Sequence, residues 1–149
     1  MDYVILLKTV LENNTVANII QRIPHTGDIE LATMYKYCEC RCIDVKNINT
    51  SFLDNMKNIV VIFDEEFLLK SGDIYANEIA SVLYGYLEHG ECLCGNVMLC
   101  KTTDDGDCVP FEEKEADRIM KLLYELEWLI QANDIEFKVQ QPKMFFRAF

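Results

Sequence analysis

The chain predicts an α+β fold, a small, mostly antiparallel or mixed sheet joined to one long C-terminal amphipathic helix. Three observations carry this expectation. Short β-branched runs such as Val4–Leu7 and Ile59–Phe63 are bounded by polar, turn-forming residues. Ile119, Met120, Leu122, Leu123, Leu126, Leu129 and Ile130 recur at helical spacing inside Phe111–Ala132 and predict one broad buried face. The elements also lack the regular strand–helix–strand alternation of a parallel sheet.

Taken in order, Tyr3–Leu11 fits either a buried strand or a helix, as short apolar runs do. Glu12–Thr15 is a turn, because Asn13 and Asn14 tolerate left-handed backbone. Val16–Ile23 follows as a strand and makes residues 3–23 a hairpin. Pro24 and Gly27 break the chain, and Asp28 is placed to cap a helix over Ile29–Tyr37. Cys40–Lys46 alternates like a strand, Asn47–Asn55 is a polar loop, and Ile59–Phe63 is the next strand. Asn77–Tyr86 sets Ile79, Ala80, Val82, Leu83 and Tyr86 along a helical stripe. His89-Gly90 turns the chain into a strand over Asn96–Lys101, and Ile135–Val139 reads as a closing strand. No shift of composition divides the chain, so residues 1–149 are read as one domain.

Composition narrows the function. Half of the 149 residues are hydrophobic, and glycine and proline number only six and three, which gives a single core and little disorder. The apolar runs fall well short of the ~20 residues of a membrane span, and the N-terminus lacks the basic start of a signal peptide. The expectation is a soluble, cytoplasmic protein. Seven cysteines without an export signal imply free, mostly buried thiols. A net charge of −11, from 25 acids and 14 bases, opposes direct binding to nucleic-acid phosphates and suits a basic partner.

The reactive-looking motifs each have a plainer meaning. Cys38, Cys40 and Cys42 with Cys92 and Cys94 offer enough thiolates for a zinc. Zinc knuckles space their cysteines by two to four residues, however, whereas single-residue spacing suits thiols repeating along one strand face. A cysteine nucleophile needs a base, and the only histidines, His25 and His89, adjoin turn residues. Asp104-Asp105-Gly106-Asp107 lacks the alternating oxygens and terminal glutamate of a calcium loop. Asp64-Glu65-Glu66 reads as a solvated turn, and no glycine-rich phosphate loop is present. The chain is therefore expected to be no enzyme, with no catalytic residue, cofactor or metal.

Charge placement carries the functional expectation. Nine acids against three bases between Thr102 and Glu127 leave a net of −6 in one loop and helix. The residues singled out are Asp104, Asp105, Asp107, Glu112, Glu113, Glu115 and Asp117. Acids in first helical turns also serve the helix dipole, and a helix face is often simply solvated. The sharper reading is a decoy, with carboxylates standing where nucleic-acid phosphates sit in a basic protein groove. The tail adds Met144, Phe145, Phe146 and Phe149, which dock on the chain's own core, on a partner, or on a second copy to make a homodimer.

The order of motifs carries a family resemblance. Leu31–Lys36 leads into Cys40–Val45, then Ile59–Glu66, Leu68-Leu69-Lys70, Asn77, Ala80, Tyr84-Gly85, Gly95–Leu99, Asp104–Asp107 and a terminal helix. Over roughly residues 17–131 this resembles domain-of-unknown-function family 3846, leaving residues 1–14 and 134–149 outside. The resemblance implies an origin in phages, plasmids and conjugative elements of Gram-positive bacteria, and supplies no catalytic residues. The combined expectation is a mobile-element binding protein that inhibits a host defence nuclease of the CRISPR or restriction type. The alternatives are a sponge for a nucleotide immune signal and a structural module.

Overall fold

Asn13 and Asn14, at φ 49° and 64°, decide how the chain first folds back. Two consecutive left-handed residues make the turn whose twist matches a hairpin. They join β1 (Tyr3–Glu12) to β2 (Thr15–Pro24) with Glu12 opposite Thr15. The Tyr3–Leu11 run, open between strand and helix in the sequence, is thus a strand. The computed structural model describes residues 1–48, 50–66 and 75–139.

The further strands are β3 (Ile43–Asn47), β4 (Ile59–Asp64), β5 (Val97–Thr102) and the short β6 (Cys108–Val109). They form one antiparallel sheet in the order β2-β1-β5-β4-β3, with β6 also on β5. Helices are α1 (Leu31–Cys38), α2 (Glu78–Tyr84), α3 (Tyr86–His89) and α4 (Glu113–Ala132), with a 3₁₀ turn at Thr50–Leu53 inside the polar loop. The fold is α+β, as the sequence predicts.

The sheet is covered on both faces, which accounts for continuous apolar runs where a half-exposed sheet would alternate. Ile5, Leu7, Val61 and Leu99 face α2 and α4, while Val4, Leu6, Val60 and Met98 face α1. All six residues of β4 are buried.

Several boundaries depart from expectation for identifiable reasons. Asp28 caps nothing. The Ile29 N–H donates to the Cys108 carbonyl at 2.9 Å, which ties this segment to β6 and delays the helix to Leu31. The position before that helix is Glu30, whose side chain makes no capping bond. At the other end, α1 runs to Cys38 and closes with Glu39 at φ 54°. Cys40 and Cys42 therefore lie in the connection and not in a strand, since β3 begins at Ile43. The Asn77–Tyr86 helix is split at Gly85, φ 113°, where an added Cβ would come within 2.7 Å of His89 Nε2.

In α4 the helix starts at Glu113, because Phe111 pairs with Tyr3 of β1 through two backbone hydrogen bonds. Leu129, expected inside, is 42% exposed at the margin of the buried stripe. Ile135–Val139 is not a strand. It is held along the surface by Phe137 stacked on Tyr86 at 4.8 Å and by the Tyr86 hydroxyl donating to the Glu136 carbonyl. Leu68-Leu69-Lys70 and the tail residues Met144, Phe145, Phe146 and Phe149 lie outside the described residues.

Candidate functional site

The acidic segment begins where β5 turns into β6. Gly106 takes φ 85°, a conformation that favours glycine, and its N–H donates to the Thr103 carbonyl at 2.9 Å. The Thr103 N–H donates to the Asp107 carbonyl, also at 2.9 Å, and the Thr103 hydroxyl accepts from the Asp107 N–H. These bonds close the turn, and Asp104, Asp105 and Asp107 are left exposed.

The neighbouring acids have other work. Glu112 stands at the N-cap of α4 and Glu115 reaches back to its N–H at 3.0 Å, which completes a capping box. Glu115 also accepts from Lys101 Nζ at 2.7 Å. Burial acts to raise the Glu115 pKa, but Lys101 and the Glu112 N–H together hold it below the usual range. Asp117 pairs with Arg22 of β2, whose guanidinium also lies over the Tyr3 ring at 4.1 Å. Arg118 pairs with Asp54.

The seven singled-out acids therefore separate. Glu112, Glu115 and Asp117 hold the fold together, while Asp104, Asp105, Asp107 and Glu113 face solvent. The outer face of α4 is not a carboxylate surface, because exposed Glu113, Asp117 and Glu125 alternate with exposed Lys114, Arg118 and Lys121. Unbalanced negative charge gathers at the turn.

The cysteines do not converge as the sequence clusters suggest. The Cys38 thiol donates to the Ile62 carbonyl on the α1 side of the sheet, and the Cys92 thiol donates to the Lys138 carbonyl. Burial, then the neighbouring Cys92, pushes Cys94 up to about 12. Cys42 is exposed, and its S–H donates to the Glu66 carboxylate, whose charge adds to that bond in raising the thiol pKa. Among the described residues, no group of three or more His, Cys, Asp and Glu side chains is gathered as a metal site requires. His25 Nε2 lies 3.1 Å from the Asp28 carbonyl. His89 packs edge-on to Tyr84 and accepts from the Glu91 N–H.

The sequence did not reveal the tertiary role of two features. Asn77, fully buried, caps α2 through Ala80 and donates at 2.8 Å to the carbonyls of both Leu7 and Gly95, which binds helix to sheet. An Asn before a helix is recognisable as a cap, but its bridging role depends on tertiary contacts. The other is a cavity of about 310 Å³ lined by Val16, Asn18, Glu78, Glu127 and Gln131 among others. Burial, then the Glu127 charge, raises the Glu78 pKa. A second cavity, of about 330 Å³, is lined by apolar side chains such as Phe52, Val82, Leu126 and Leu129.

Among the described residues no helix is long and apolar enough to cross a membrane. No family model matches the chain, and neither curated proteins nor solved structures give a match.

Proposed function

We propose that this is a non-enzymatic binding protein whose acidic turn engages a basic, nucleic-acid-handling protein. The observation that carries the reading is the β5–β6 turn. There two backbone hydrogen bonds close the turn, and three carboxylates within four residues are exposed to solvent without an intervening base. A partner groove built for phosphates meets the same sign of charge at similar density. The resemblance to family 3846 supports a setting in a mobile element inside a Gram-positive host, and that setting together with the acidic turn favours inhibition of a defence nuclease.

The nucleotide-sponge alternative gains no support from the two cavities. One presents Glu78 and Glu127, the other is apolar, and neither lining includes a lysine or arginine to hold phosphate. The test is capture from a host lysate on immobilised chain, followed by elution with duplex DNA. A nucleic-acid-binding protein that DNA displaces, and that salt weakens steeply between 50 and 200 mM, is the expected result. Capture indifferent to DNA and salt contradicts phosphate mimicry.

A further inference from the structure

Cys100 and Cys108 meet on one face of the β5–β6 ladder. Cys108 lies opposite Thr102, and Cys100 shares the Thr102 face because strand side chains repeat every second residue. Both sulfurs pack into the α1-side core together with Cys38; Cys100 is 0% exposed, while Cys108 is half-buried at the edge. Their sulfurs are near enough for each thiol to set the other's proton affinity. Cys108 also stands at the end of the acidic turn, beside Asp107.

We propose that Cys100 and Cys108 are the oxidation site of this chain, a dithiol that a hydroperoxide converts to a disulfide, with Cys108 as nucleophile and Cys100 as resolving thiol. The Cys100 S–H donates to Cys108 and favours its thiolate. That bond outweighs burial and the Asp107 charge and lowers the Cys108 pKa to about 7, while Cys100 is pushed upward and keeps its proton. The more exposed Cys42 is held back by Glu66, so accessibility and reactivity run in opposite order.

In the first step the Cys108 thiolate attacks one peroxide oxygen. The O–O bond breaks, sulfur is oxidised by two electrons to sulfenic acid, and hydroxide (or alkoxide) leaves. In the second step the Cys100 sulfur attacks Cys108. The S–S bond forms, the S–O bond breaks, and the leaving hydroxide departs as water with the Cys100 proton. Diagonal neighbours across a ladder have Cα atoms about 7–8 Å apart, and a disulfide accepts up to about 6.8 Å, so closure draws β6 inward by roughly 1 Å. The shift falls on a two-residue strand, Cys108–Val109, whose Cys108 carbonyl also accepts from the Ile29 N–H. The resulting ring, residues 100–108, encloses Asp104, Asp105 and Asp107. The chemistry is independent of whether those carboxylates meet a partner.

The test treats the reduced full chain with substoichiometric hydrogen peroxide, alkylates remaining thiols, and maps peptides without reduction. A Cys100–Cys108 cross-link is expected as the first product. Cys100→Ser keeps a donor but cannot resolve, so Cys108 should accumulate as a sulfenic acid trapped by dimedone. Its alkylation rate at neutral pH should stay within about twofold of wild type. Cys100→Ala should slow that alkylation about fivefold, as lost thiolate fraction outweighs gained nucleophilicity. A first oxidation at Cys42, or wild-type chain that yields no Cys100–Cys108 cross-link, overturns the proposal.

Discussion

The two faces of the sheet are built from different materials. Toward α2 and α4 the buried cluster is made of aliphatic and aromatic side chains, with Ile5, Leu7, Val61, Phe63, Leu99, Ile119 and Leu123 at its centre and no sulfur among its buried members. Toward α1 the buried cluster is smaller, and four of its nine members are Met34, Cys38, Met98 and Cys100. Branched hydrocarbon side chains have few rotamers and interlock, so the first face specifies the fold. Methionine and cysteine are adaptable and polarisable, so the second tolerates change and can carry chemistry. The difference shows how one chain can keep stability and reactivity on opposite sides of the same strands.

The largest expected effect lies on the aliphatic face. Leu123→Ala, at a residue with no exposed surface, should destabilise the chain by about 3–4 kcal/mol in chemical denaturation. Cys38→Ala on the sulfur face should cost about 1 kcal/mol, because one sulfur and its bond to the Ile62 carbonyl are lost. Equal losses at the two positions would erase the contrast. Asn77→Ala should fall between them, at about 2–3 kcal/mol, since it strands the buried Leu7 carbonyl and Ala80 N–H and loses the bond to the Gly95 carbonyl. A loss below about 0.5 kcal/mol at Asn77 would show that water replaces its bonds.

The smallest effect has the opposite sign. Glu78 has its pKa raised by burial and by Glu127, so in the window above the ordinary glutamate value the folded state holds a proton that the unfolded state has released. Stability therefore falls as pH rises through that window. Glu127→Gln removes the repulsion and should stabilise the chain at pH 7 by about 0.3–0.5 kcal/mol, discounted for solvent screening of a half-exposed pair. The gain should vanish near pH 3, where Glu78 is protonated in both states. A gain that persists there would assign the effect to something other than charge.

How much of this was legible in the sequence follows from where the information lies. The hairpin was readable from Asn13-Asn14, and α4 from its periodic stripe, because turn chemistry and helical spacing are local. The Cys40–Lys46 strand was misplaced because Cys40 and Cys42 are spaced like one face of a strand, yet α1 extends to Cys38 and a left-handed Glu39 ends it. Asp28 looked like a cap, but the carbonyl of Cys108, eighty positions away, claims the Ile29 N–H. The acidic segment was visible as composition. Its division into fold-holding Glu112, Glu115 and Asp117 and outward Asp104, Asp105 and Asp107 depends on Lys101 and Arg22, which come from other strands. The Cys100–Cys108 pair, eight residues apart, has no sequence signature until β5 and β6 align it.

The functional account rests on the turn and not on the helix face, and paired charge variants separate the two. Asp104→Asn, Asp105→Asn and Asp107→Asn together neutralise the turn, while Glu113→Gln and Glu125→Gln neutralise exposed acids of α4. Both variants spare the capping box and the Arg22–Asp117 pair, so both should melt within about 2 °C of wild type. The direct measurement is the affinity of each for the DNA-displaceable protein captured from host lysate. The account predicts that the turn variant binds at least tenfold more weakly, with a flatter salt dependence, while the helix variant stays within about threefold. A folded turn variant that binds as tightly as wild type would contradict it.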